Sequence, residues 1–196
     1  MDAKPFNDIL AATKNQEQSA RWYQKAVRDY ASGINTFTEV MNSDLGTKAT
    51  KLEVGKMYMF SYDPMTKQDL PFWDAVPLVI IADPLPTGFS GISLHYLSPL
   101  MRADLIDRLI MPGQTLNNDS VMRSRYQFIK NFSRFPEVRN SLKRYLTQQI
   151  RGPMFEIYPQ HWKSAVFLPV QQFSGATDTQ VYRHTMTKPE RKRRMV

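Results

Sequence analysis

The sequence predicts an α+β fold: a small antiparallel sheet, curved or closed into an SH3-like barrel, with an N-terminal helical arm and inserted helices. Three observations point there. Short segments between residues 57 and 97 follow strand period and are separated by turn-sized gaps. Apolar residues recur at steps of three and four from Trp22 to Met41, and again between Ser98 and Ile150. Gly and Pro gather mainly near the ends of these segments, as at Gly46, Pro64, Pro84 and Pro112–Gly113. The implied organisation is an arm and linker over 1–50, an α+β body over 51–183 with inserted helices at 98–151, and a basic flexible tail over 184–196.

In the arm, Trp22, Tyr23, Ala26, Val27, Tyr30, Ile34, Phe37 and Met41 share one helical face. That stripe needs one burying surface, either the body of the chain or a partner subunit. Trp22, Tyr23, Tyr30, Ile34 and Phe37 are the candidate partner contacts. "NSDLGTKATK" reads as a stop and a linker. "KMYMFSYD" is a first strand, with Met57 and Met59 on one face and Tyr58, Phe60 and Tyr62 on the other. "VPLVIIAD" is a second strand and "GFSGISLHYL" a third, with a bulge expected near Gly91 where alternation fails.

Helices are expected next. Ser98 is placed to cap "SPLMRADLIDRLI", with Pro99 at the first helical position. "SVMRSRYQFIKNF" and "PEVRNSLKRYLTQQI" read as two more, the second ending at Gly152–Pro153. "MFEIYP", "QHWKSAVF" and "LPVQQF" read as strand, short helix and strand, with the strands returning to complete the sheet. "SGATDTQVY" reads as a turn and a short edge strand.

The chain has no cysteine, which excludes disulfides and thiolate chemistry and fits a reducing cytoplasm. No run of 18 apolar residues is present, so no membrane span is expected. The acidic, amphipathic start does not read as a secretory signal. Net charge is +8, and the tail's five bases against one acid supply four of those charges. Lys188, Arg191, Lys192, Arg193 and Arg194 therefore suit an acidic partner: nucleic-acid phosphate or an acidic protein surface. Arg123, Arg125, Lys130, Lys143 and Arg144 extend that footprint if their helices share a face.

Catalytic patterns are weak. Asp63, Asp69 and Asp74 sit where Asp caps turns, and a paired-carboxylate role for Asp69 and Asp74 would need a raised pKa that nothing signals. His95, His161 and His184 have no metal-ligand spacing, and His95 reads as a hydrogen-bonded structural histidine. Ser90 in "GFSGI" lacks nucleophile-elbow spacing. Neither a catalytic residue, a metal nor a cofactor is expected. A MazF-like endoribonuclease using His95 is a remote alternative, resting on fold analogy alone.

"GKMYMFSYDPMTKQDLPFWDAVPLVI", "GFSGISLHYLSPLMRADLIDRL" and "RYLTQQIRGPMFEIYPQHWKSAVFLPVQQFSGA" resemble the DNA end protector family of virion proteins in T-even-type contractile-tailed bacteriophages. The likeness spans roughly residues 55–182. It is carried by Gly55, Tyr58, Tyr62, Asp63, Leu70-Pro71, Asp74, Pro77-Leu78, Gly88-Phe89, Gly91, Leu94 to Leu97 and Arg102. The basic tail departs from it. The resemblance implies a non-enzymatic protein on packaged double-stranded DNA ends, protecting them from exonucleases. Its partners would be portal, neck or tail proteins in a symmetric assembly, in the virion and, during assembly, the host cytoplasm. A neck, tail-terminator or baseplate subunit fits the same motifs.

Overall fold

A computed structural model of the chain describes residues 33–109 and 139–186, with Tyr126, Gln127, Ile129 and Asn131 between them. Among the described residues eight strands form: β1 (Gly46–Lys48), β2 (Met57–Tyr62), β3 (Trp73–Asp74), β4 (Leu78–Leu85), β5 (Gly88–Ser93), β6 (Leu142–Leu146), β7 (Ile150–Ile157) and β8 (Phe173–Ser174). Four helices with described bounds accompany them: α1 (Phe37–Met41), α2 (Pro99–Leu109), α3 (Trp162–Ala165) and α4 (Asp178–Met186). The six-stranded sheet runs β1-β7-β2-β4-β5-β6, with every described pairing antiparallel, and β3 pairs with β8 alone.

Strand period places the core on both faces, as β2 shows. Met57 and Met59 join Leu78, Ile80, Ile92, Phe155 and Ile157 in one cluster, closed by α2 through Met101, Leu105, Ile106 and Leu109 and by Trp162. Tyr58 and Phe60 join Val79, Ile81, Phe89 and Tyr145 on the other face. Each large apolar side chain so buried stabilises the fold by roughly 1.5–3 kcal/mol.

The sheet is curved but open, so the closed-barrel alternative is corrected. In a flat sheet β2 and β6 would stand three strand spacings apart, about 14 Å. Instead the Leu146 N–H donates to the Tyr62 hydroxyl at 3.4 Å, and the Tyr62 and Tyr145 rings meet edge-on at 5.0 Å. Phe60, Phe89 and Tyr145 pack within this curl at 5.3–5.8 Å between ring centres. Among the described residues no ladder joins β6 to β1, and neither edge strand has a second partner. The bulge lies where Gly91 indicated, with the extra residue, Ala82, on the facing strand: Ile81 pairs with Gly91 and Asp83 with Ser90. A Cβ at Gly91 would stand 2.4 Å from Val79 Cγ1 and 2.6 Å from the Ile80 carbonyl oxygen. Gly91→Ala is expected to lower stability by ~1–3 kcal/mol through overpacking, read as a shifted urea midpoint; an unchanged midpoint would refute the close-approach account.

Several sequence expectations are corrected. The helix expected over 136–150 is, from Leu142 onward, strand β6, a 3-10 turn and the start of β7. Gly152, at φ 78°, and Pro153 lie within β7, where pairing with β2 shifts register, and do not stop a helix. The third strand ends at Ser93, and Leu94–Tyr96 form a 3-10 turn. Of "LPVQQF" only Phe173 is strand. The edge strand and flexible tail expected at 174–186 are largely helix α4, whose Val181 and Thr185 are buried one turn apart. The hydrogen bond from the Gln180 N–H to Thr177 Oγ1, and the return bond from the Thr177 N–H to Gln180 Oε1, hold its start.

The arm also differs. A continuous helix does not reach Met41; α1 starts afresh after Gly33, at φ 106°, with Thr36 as cap. Thr36 Oγ1 accepts from the Glu39 N–H, and the Glu39 carboxylate accepts from the N–H groups of Asn35 and Thr36. Those bonds, Asn35's foremost, hold the Glu39 carboxyl below its usual pKa. The expected linker contains β1, which pairs with β7.

Arg102 ties these parts together. It is 3% exposed. Nε donates to the Leu97 carbonyl at 2.8 Å and Nη1 to that of Val166 at 3.1 Å. Nη2 lies 3.0 Å from the His95 carbonyl, 2.6 Å from Gln171 Oε1 and 3.0 Å from the Tyr182 hydroxyl. Burial pulls its pKa below the ordinary value.

Candidate nucleic-acid interface

The curl of the sheet leaves a cavity of about 400 Å³ beside β6. Its lining comes from four places: Tyr62 at the end of β2, the 63–72 loop with β3, Tyr96 of the 3-10 turn, and Lys143 to Leu146 on β6. Alternation along β6 puts Lys143 and Tyr145 on one face. Tyr145 is buried in the aromatic cluster, while Lys143 sets its ammonium over the Tyr96 ring, 4.0 Å from its centre. Burial alone pulls the Lys143 pKa down to about 8. Burial also raises the phenols of Tyr96 and Tyr145 well above their ordinary value, so both stay neutral at neutral pH.

The loop folds back through its own charges and turns. Asp63 pairs with Lys67 and, at 3.3 Å, with Arg151, instead of capping a turn; the Lys67 bond is the main reason its pKa lies below the usual range. Met65 and Leu70 project from the loop, 64% and 38% exposed, at the cavity lining. Phe72 meets Tyr96, Phe173 and His184, binding the inner end of the loop to β8 and α4.

Asp74 is the one acid among the described lining residues, and it is 3% exposed. Oδ1 accepts from the Val76 N–H at 3.0 Å, the turn bond expected of it, and from the Gln172 N–H at 3.3 Å. Oδ2 lies 2.6 Å from His95 Nδ1. His95 is thus the structural histidine the sequence indicated, fully buried, with Nε2 lacking a partner among the described residues. Asp69 stands exposed on the 67–69 turn, apart in environment from buried Asp74. Among the described residues no cluster of three His, Asp or Glu could hold a metal ion, and no helix is long and apolar enough to cross a membrane.

Of the candidate contact residues, the structure brings Lys143 and Arg144 together in the cavity lining, on a strand and not on the expected helix. Phe37 is buried in the main core and Ile34 packs against it. Arg123, Arg125, Lys130, Lys188, Arg191, Lys192, Arg193 and Arg194 lie outside the described residues, as do Trp22, Tyr23 and Tyr30. Phe72, Trp73, Tyr96 and Tyr145 as cavity lining were missed, because each has a complete explanation as core. The one available signal was exposed Met65 and Leu70 in a charged loop.

A family model described as Phage T4 terminal DNA protecting protein matches residues 6–188, which includes the whole cavity and stops short of the last four bases of the tail. No curated protein and no solved structure matches the chain. A match over nearly the full length makes this chain a member of the Phage T4 terminal DNA protecting protein family.

Proposed function

We propose that the chain is a non-enzymatic virion protein that covers the ends of linear double-stranded DNA and shields them from exonucleases, near the portal and tail. The carrying observation is membership of a DNA-protecting family across the stretch that holds the cavity. Lys143 and Arg144 in the lining supply cations for phosphate. Burial of His95 away from any substrate favours this reading over RNA cleavage. The tail's bases add sequence-independent phosphate contact, during assembly in the host and afterwards in the particle.

Purified protein is expected to slow exonuclease digestion of linear duplex DNA at low salt. Deleting residues 188–196 removes five bases and one acid. If every base meets a phosphate, the slope of log affinity against log salt becomes shallower by about 4–5. Linear DNA digested equally fast with and without the protein would end this reading.

A further inference from the structure

We propose that the cavity beside β6 holds the terminal nucleotide of a DNA end, its base against the aromatic wall and its phosphate on Lys143. This inference rests on the DNA-end reading and says where the end is held.

Five features converge on that occupant. The volume, about 400 Å³, is that of a site for one small ligand and not for a duplex. Tyr62, Phe72 and Trp73, each only partly buried, offer ring surfaces, and every base has a π face, so stacking there is tolerant of sequence. Lys143 is a half-buried cation, and among the described residues no carboxylate lies within ion-pair distance of it. A phosphate would provide the missing counter-charge. Asp74, the lining acid, is already occupied by His95, Val76 and Gln172. Exposed Met65 and Leu70 extend the apolar lining.

The geometry also explains a preference for ends. A terminal nucleotide has one stacking neighbour, whereas an internal one must leave two and break its pair inside the duplex. Closed DNA would still meet the basic surface but would fill the cavity at far greater cost.

The groups around Lys143 set its pH response. Tyr96 lies beneath it, Tyr62, Arg144 and Tyr145 line the same cavity, Asp74 faces from β3, and His184 stands behind Phe72 on α4. Tyr96 and Tyr145 stay neutral to high pH, so Lys143, near pKa 8, is the lining base that discharges between pH 7 and 9. An ordinary lysine stays charged across that window. Binding that needs its charge therefore weakens about tenfold from pH 7 to pH 9.

The test is competition against a labelled blunt-ended duplex, using an unlabelled linear duplex and a covalently closed minicircle of equal length. With wild-type protein the linear competitor is expected to be at least about tenfold stronger at pH 7, with that advantage lost by pH 9. Lys143→Met should abolish the advantage at both pH values. Lys143→Arg should keep it at both, because the guanidinium does not discharge. Urea midpoints of both variants are measured first, and binding is compared per folded molecule. Equal competition by linear and closed DNA at pH 7, or a full linear preference in Lys143→Met, overturns the cavity assignment even if exonuclease protection stands. Failure of wild-type protein to bind or protect linear DNA overturns the DNA-end reading itself.

Discussion

Arg102→Met is expected to destabilise the folded chain by ~3 kcal/mol, read from urea unfolding at neutral pH. Two effects oppose each other. Removing a buried guanidinium also removes its own desolvation cost, and buried charges replaced by apolar side chains are sometimes neutral. Here the acceptors decide. The carbonyls of Leu97, Val166 and His95 and the side chains of Gln171 and Tyr182 all face this one group. Methionine fills much of the volume and donates to none of them, and each buried acceptor left unmet costs ~1–3 kcal/mol. Some will find water or each other, as Gln171 Nε2 already bonds to the Tyr182 hydroxyl at 3.1 Å. Arg102→Lys is expected to recover less than half, because an ammonium is a point donor and cannot span this fork. Helix α4 should loosen first, since Tyr182 is one of its anchors, and its amides should lose hydrogen-exchange protection ahead of β2 and β4. A near-native urea midpoint for Arg102→Met would show that Arg102 is not the tie between these segments.

The central strands were legible because β2, β4 and the start of β5 each carry enough apolar residues to satisfy a period of two on both faces. Pro77 and Pro84 gave approximate ends; Pro84 in fact sits within β4, opposite Phe89. The segment from Leu142 was not legible. Leu142, Tyr145 and Leu146 suit a helical stripe, while Lys143 and Tyr145 suit a strand, and the choice is made by partners: β5 offers an open edge that pairs residues 142–146. Propensity is a weak prior against such pairing. The same misreading hid the site. On a helix, Lys143 and Arg144 belong to a solvated basic face; on β6 they share a cavity with Tyr62, Trp73 and Tyr96, from positions 47 to 82 residues away in the chain. Sequence spacing carries no sign of that meeting. Asp74 was half legible: its bond to the Val76 N–H is local, and its bond to His95 spans 21 residues.

Asp74→Ala should be the other severe change, costing ~3–5 kcal/mol, the range for breaking a buried charged network from one side. It leaves the Val76 N–H, the Gln172 N–H and His95 without their acceptor, all beside the join of β3 and β8. Asp74→Asn separates scaffold from site. The Asn oxygen can still accept from Val76 and Gln172, and its NH₂ can face His95 if the imidazole moves its proton to Nε2. That nitrogen is buried without a partner among the described residues, so the rearranged N–H would be unmet, at ~1–2 kcal/mol. The variant should therefore fold, with a modest loss in urea midpoint. If Asp74 serves only to shape the cavity, folded Asp74→Asn protein protects linear DNA as well as wild type does, and slightly better if the acid's charge repels phosphate. A folded Asp74→Asn protein that no longer protects ends would make the carboxylate itself part of the contact, and the lining could no longer be read as aromatic wall and cations alone.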